Sequence, residues 1–207
     1  MSILGVAWSY GLLKALKIIC SIQIEVQGEK HLPNTPCIIA CKHQSAIETI
    51  FFLQYLKFPV YIVKKELLSI PFYGWFLKKM GMIPIDRKAG VSALRQLLKK
   101  SENVLKQNRS IIIFPEGTRV KPFASANYHV GIVALYNKFP DVPILPVALN
   151  SGLFWSKNSW LKYPGTVVFK FLPPIIGKTN KKELLHFLQQ TIDKHSNQLC
   201  RHIPENT

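Results

Sequence analysis

Ile111-Ile112-Ile113-Phe114-Pro115-Glu116-Gly117-Thr118-Arg119 sets four apolar residues directly against a polar, turn-forming segment. An apolar run this short, with no polar alternation, is the pattern of a strand covered on both faces, as strands in a parallel sheet are. The residues after it fall in a loop beyond the carboxyl end of that strand. Ligand sites of open α/β sheets gather in such loops.

Similar punctuation recurs on either side. Ile22, Ile24 and Val26 alternate as a half-buried strand, and residues 28–36 are turn-rich. Residues 37–41 and 60–63 are compact apolar strands, and residues 81–87 form a short strand ending in the charged pair Asp86-Arg87. Leu94, Leu97, Leu98 and Leu105 trace a helix over about residues 89–107. Residues 142–149 read as a strand interrupted by Pro143 and Pro146, so an edge or irregular position is expected. A last helix follows Asn180, with Leu184, Leu188, Ile192 and Leu199 on one side. Strands alternating with helices define an α/β protein: a single layered domain with a mixed, largely parallel sheet flanked by helices. A chain of 207 residues suits one such core.

At the N-terminus, Leu4, Trp8, Leu12, Ala15 and Ile19 recur at helical spacing while Tyr10, Lys14 and Lys17 share another face. The expected division is an amphipathic membrane-associating helix over residues 1–20 and a catalytic domain over residues 21–207. Such a helix either lies in a bilayer interface or docks on the protein's own core, and its amphipathicity alone does not choose. No uncharged apolar stretch approaches the roughly 20 residues that span a bilayer, and no signal-peptide pattern is present.

Hydrophobic residues make up 48% of the chain and charged ones 18%, with a mean hydropathy of +0.12. This composition excludes disorder. Twenty-seven Lys and Arg against 11 Asp and Glu give a net charge of +16, which calls for a negatively charged partner. An anionic bilayer or phosphorylated substrates fit that field. Nucleic acid is not expected, because the lysines are scattered without an aromatic platform or a recognised binding motif. Cys20, Cys37, Cys41 and Cys200 lack metal-ligand spacing and read as free thiols in a reducing cytoplasm, so no metal is expected.

Two polar clusters follow strands. In Lys42-His43-Gln44-Ser45-Ala46-Ile47-Glu48, His43 and Glu48 would lie about 140° apart on one regular helix and could not pair. They meet if His43 precedes the helix and Glu48 lies in its first turn, and Ser45 is a good N-cap for that start. A carboxylate on one imidazole nitrogen then leaves the other to take a proton from a hydroxyl. Ser45-x-x-Glu48 is equally a capping box, with Glu48 reaching only the backbone of Ser45. A Ser45 hydrolase triad is disfavoured, since no G-x-S-x-G elbow exists. In the second cluster, Gly117 permits close backbone approach, Thr118 supplies a hydroxyl and Arg119 a planar fork, a set suited to an anion. Glu116 is expected to orient Arg119 or the loop backbone. An ordinary turn with a surface salt bridge is the competing reading.

His43-x4-Glu48, the 81–87 segment, Phe-Pro-Glu-Gly-Thr-Arg at 114–119 and Ile144-Leu145-Pro146-Val147 occur in the order of the four blocks of the 1-acyl-sn-glycerol-3-phosphate acyltransferase family, which the chain resembles over about residues 30–150. Lys64-Lys65-Glu66-Leu67 and Pro71-Phe72-Tyr73-Gly74-Trp75 are also similar to that family. The resemblance implies transfer of an acyl chain from acyl-CoA or acyl-carrier protein to the 2-hydroxyl of lysophosphatidic acid, giving phosphatidic acid, with no metal or bound cofactor. It implies His43 as the base with Glu48 as its carboxylate, and Arg87, Glu116, Gly117, Thr118 and Arg119, joined by Lys64, as the residues that bind the acceptor. The family usually has Asp at the position of Glu48, Asn at that of Lys42 and often Ser at that of Val120. The sequence does not identify the oxyanion donors, for which backbone N–H groups at the helix start near Ser45 are one candidate. The expected place of work is the cytoplasmic face of the cell membrane, as a peripheral or monotopic protein on an anionic surface. Two alternatives remain at this level: transfer to another lysolipid, such as a lyso-ornithine lipid, and a catalytically inactive lipid-binding module.

Overall fold

Seven strands, β1 (Ile22–Gln27), β2 (Ile38–Cys41), β3 (Val60–Lys64), β4 (Ile83–Ile85), β5 (Ile111–Ile113), β6 (Ile144–Leu149) and β7 (Gly165–Phe171), form one sheet in the order β1-β7-β6-β2-β5-β3-β4 in a computed structural model. The structure describes residues 2–56, 58–177 and 180–201, with the side chains of 2–4, 181 and 182 outside that description. The helices are α1 (Ser2–Cys20), α2 (Ile47–Tyr55), α3 (Tyr73–Lys79), α4 (Gly90–Lys106), α5 (Gly131–Lys138) and α6 (Lys181–Arg201).

All neighbouring strands pair in parallel except β6 and β7. The isoleucine run occupies β5, between β2 and β3, where both faces are covered, and Ile111 and Ile112 are fully buried. Parallel strands must be joined by crossover helices. The connection from β2 through α2 to β3 runs toward one edge of the sheet, whereas those through α4 and α5 run toward the other. With right-handed crossovers this places α2 on one face and α4 and α5 on the opposite one. α1 packs on α2, and α6 packs on α5 and β6.

The expected edge position of residues 142–149 is corrected. β6 is an interior strand, fully buried and paired with both β2 and β7. Pro146 fits because its carbonyl accepts from Leu172 N at 3.0 Å. The missing N–H therefore faces the same side, one residue beyond the last ladder pair, Val147 with Phe171, where β7 has ended.

The N-terminal helix docks on the protein's own core through a face other than the expected one. Gly5, Ser9 and Leu16 are buried, and the Ser9 hydroxyl donates to the Ile50 carbonyl of α2. Trp8, Tyr10, Ile18 and Ile19 remain exposed, the last at 79%. The side chain of Leu4 lies outside the described residues. Among the described residues no helix is long and apolar enough to cross a membrane.

Because β6, β2, β5, β3 and β4 all run in parallel, their carboxyl ends emerge along one edge of the sheet. That edge receives Ser151, His43, residues 114–119, Lys64 and Arg87 from five separate stretches of chain.

Candidate active site

Lys42 N donates to Val147 O at 3.0 Å and keeps the chain in the sheet one residue past β2. His43 then leaves the sheet under restraint from the neighbouring loop. Its N–H donates to Glu116 Oε2 at 2.8 Å, its carbonyl accepts from Val120 N at 2.8 Å, and its ring stacks on Phe114 at 3.9 Å between centroids. The backbone and the ring plane of His43 are thus both set by the segment after β5.

Glu48 lies in the first turn of α2 and is fully buried. Its Oε1 sits 3.2 Å from His43 Nδ1 and also accepts from Gln44 N at 2.6 Å and Ser45 N at 2.7 Å. One oxygen therefore makes both the capping contacts and the contact to the imidazole. A carboxylate can only accept, so the proton of the contact belongs to Nδ1, and Nε2 is the nitrogen left for a substrate. The same geometry argues against the candidate oxyanion donors at the helix start, because the N–H groups of Gln44 and Ser45 are committed to Glu48.

Glu116 turns away from Arg119. It is buried, with Oε1 in an ion pair 2.6 Å from Lys42 Nζ and Oε2 on the His43 N–H. Its charge is drawn inward by Lys42, itself 1% exposed, which also meets Asp193 of α6 at 2.6 Å. Burial works against a charged Lys42, but the Glu116 and Asp193 carboxylates outweigh it and hold the pKa above the ordinary lysine value. Breaking one partner of such a network costs about 3–5 kcal/mol.

His43 lines a cavity of about 890 Å³ whose walls include Trp8, Leu53, Tyr61, Val63, Trp75 and Met82. The other sequence-derived residues, Lys64, Arg87, Gly117, Thr118 and Arg119, line the same cavity. Gly117 has φ 66°, and a Cβ there would collide with the Arg87 guanidinium. Glycine is required both for the turn and for Arg87 to lie against the loop backbone. Burial, followed by the charges of Arg87 and Lys64, holds the nearby His129 below the ordinary imidazole value. An apolar chamber with cations and one oriented imidazole suits a lipid carrying a phosphate.

Several contributors carry little local signal. Ser151 Oγ donates to Glu48 Oε2 at 2.9 Å, and Gly152 N donates to Gln44 Oε1 at 3.0 Å. A polar residue just after an apolar strand was the available clue to Ser151. Asp193 sits mid-helix, and nothing near it in the chain points to Lys42.

A family model described as Acyltransferase matches residues 23–150. A 1-acyl-sn-glycerol-3-phosphate acyltransferase of Pseudomonas aeruginosa is 39% identical over 151 residues, covering 73% of this chain and 58% of that protein. One from Saccharomyces cerevisiae is 32% identical over 177 residues, covering 81% of this chain and 56% of that protein. The chain thus spans little more than half the length of these relatives. The crystal structure of the 1-acyl-sn-glycerophosphate (LPA) acyltransferase of Thermotoga maritima shares the fold, with a TM-score of 0.78 at 22% identity over 99% of this chain and 81% of that one.

Proposed function

The chain belongs to the acyltransferase family, and on that footing we propose that it transfers an acyl chain from an acyl thioester, acyl-CoA or acyl-carrier protein, to the sn-2 hydroxyl of 1-acyl-sn-glycerol 3-phosphate, forming phosphatidic acid. The observation that carries this reading is the His43–Glu48 contact at the wall of an apolar cavity that also holds Arg87, Arg119 and Lys64.

His43 Nε2 takes the proton of the acceptor hydroxyl as its oxygen attacks the thioester carbonyl. The tetrahedral intermediate collapses by breaking the carbon–sulfur bond, and the imidazolium returns the proton to the departing thiolate. The proton balance closes on His43, so the step invokes no metal or bound cofactor. Glu48 holds Nδ1–H and offsets the imidazolium charge. A positioned general base contributes about 10²- to 10⁴-fold. The remainder falls to alignment of the two lipids and stabilisation of the oxyanion. Arg87 and Arg119, with Lys64, hold the phosphate through charge-assisted hydrogen bonds.

The proposed setting is an anionic membrane surface on the cytoplasmic face of the cell membrane, held peripherally or monotopically. Exposed Trp8, Ile18 and Ile19 on α1, together with Phe72 and Trp75 near Lys78 and Lys79, support it. The deciding experiment is release of free thiol from acyl-CoA by the purified protein. Release that depends on lysophosphatidate supports the proposal. No release with any lysolipid would reduce the chain to a lipid-binding module.

A further inference from the structure

The segment between β6 and β7 is built into the site although it lies beyond the residues that match the family model. It begins at Ser151 and Gly152, which bond to Glu48 and Gln44, and Gly152 could carry no side chain without crowding Gln44 Cβ at 2.9 Å. It closes where Tyr163 N donates to Phe154 O at 2.8 Å. Inside, Trp155 Nε1 donates to Ser159 O at 3.1 Å and Lys162 Nζ lies 4.4 Å from the Trp155 ring centroid. At its turn Asn158 adopts the left-handed φ of 61°, which asparagine tolerates. These contacts define one conformation for the loop, and that conformation places Lys157 and Asn158 on the cavity wall. Lys157 Nζ donates to Thr118 Oγ1 at 3.2 Å, next to Arg119.

Among the described residues no carboxylate pairs with Lys157. The only recorded partner of Lys157 among the described residues is a neutral hydroxyl, and Arg119, Arg87 and Lys64 line the same cavity. An exposed lysine directed toward other cations raises repulsion unless an anion sits among them.

We propose that Lys157 is a fourth phosphate-binding cation, and that the β6–β7 loop thereby selects an acceptor carrying a phosphate monoester. The inference rests on the acceptor reading above. A monoester carries about −1.5 to −2 charges at pH 7, whereas a diester headgroup offers its phosphate only a single negative charge. A fourth cation gains more from the former. The phosphates of the thioester donor offer similar chemistry, but the bond of Lys157 to the 114–119 loop assigns it to the acceptor.

The test is steady-state kinetics of Lys157→Ala, Lys157→Arg and Arg119→Ala, varying lysophosphatidate at fixed acyl-CoA and then the reverse. Lys157→Ala should raise the KM for lysophosphatidate about five- to tenfold, a charge-assisted contact discounted for exposure. Its kcat and its KM for acyl-CoA should stay near wild type, and Lys157→Arg should restore most of the loss. An unchanged lysophosphatidate KM in Lys157→Ala beside a raised one in Arg119→Ala would overturn the inference and leave the acceptor reading standing. A rise in the acyl-CoA KM alone would assign Lys157 to the donor and overturn it equally. If Arg119→Ala also leaves acceptor kinetics unchanged, the phosphate reading falls and the inference with it.

Discussion

Ser151 Oγ donates to Glu48 Oε2 at 2.9 Å across 103 residues of sequence, so the loop leaving β6 holds the carboxylate that holds His43. Glu48 Oε1 is already shared by His43 Nδ1 and two backbone N–H groups. Ser151 is the recorded donor to the second oxygen. It fixes the carboxylate plane, and through it the imidazole.

Ser151→Ala should therefore act on turnover without touching substrate binding. Leaving one buried carboxylate oxygen without its donor costs about 1–3 kcal/mol, visible as a lower Tm. The expected kinetic result is a kcat reduced by about tenfold with the KM for lysophosphatidate unchanged. Wild-type kcat in a correctly folded variant would show that Glu48 needs no second anchor.

Lys42 supplies the next test, because the family commonly has asparagine at this position while this chain encloses two carboxylates around a lysine. Lys42→Asn should destabilise the protein by about 3–5 kcal/mol, the scale for breaking a buried pair. Asp193→Asn in the same molecule should recover part of it, since one of the two carboxylates left without their cation is removed. Additive effects in thermal melts would contradict the coupling. The pH dependence has a definite sign. Folding raises the Lys42 pKa, so its contribution is complete below the unfolded lysine value of about 10.4 and is lost as pH rises through the higher folded value. The Tm gap between wild type and Lys42→Asn should hold from about pH 8 to about pH 10, narrow above that as Lys42 loses its proton, and narrow in acid as the Glu116 and Asp193 carboxylates are protonated.

Legibility in the sequence followed the range of the interaction. The Ile111–Ile113 run announced a strand covered on both faces, and that strand sits at the middle of the sheet. His43 and Glu48 were readable as a pair because five residues and one helix start separate them. Pro146 misled, since the rule confining proline to edges concerns the missing donor, and here a neighbouring strand ends just where that donor would have been needed. Glu116 misled in another way: a carboxylate beside Arg119 in sequence turns instead to a lysine on a different strand end. Asp193 and Ser151 reach the site only through tertiary packing. On α1 the period was correct, but the buried stripe is Gly5, Ser9 and Leu16, residues too small or too ordinary to mark the docking face.

The exposed face of α1 gives a membrane prediction. Ile18 and Ile19 are 69% and 79% exposed, and neither lines the cavity. In liposome sedimentation the protein should bind anionic vesicles more strongly than neutral ones, and salt should weaken that binding. Ile18→Glu with Ile19→Glu should abolish it while turnover on a short-chain, water-soluble acceptor persists. Equal binding of wild type to both vesicle types would remove the electrostatic part of the proposal.

The dyad itself is tested by Glu48→Gln measured beside His43→Ala. The amide oxygen introduced by Glu48→Gln can still accept from the Gln44 and Ser45 N–H groups, and the amide nitrogen can face the Ser151 hydroxyl, so the helix start survives and stability should change by at most roughly 1 kcal/mol. What disappears is the negative charge beside the imidazolium of the transition state. The expected result is a folded, membrane-binding protein whose kcat falls by about 10²-fold or more, against near-complete loss in His43→Ala. Wild-type turnover in Glu48→Gln would mean that Glu48 only caps α2, and the general-base dyad would have to be abandoned.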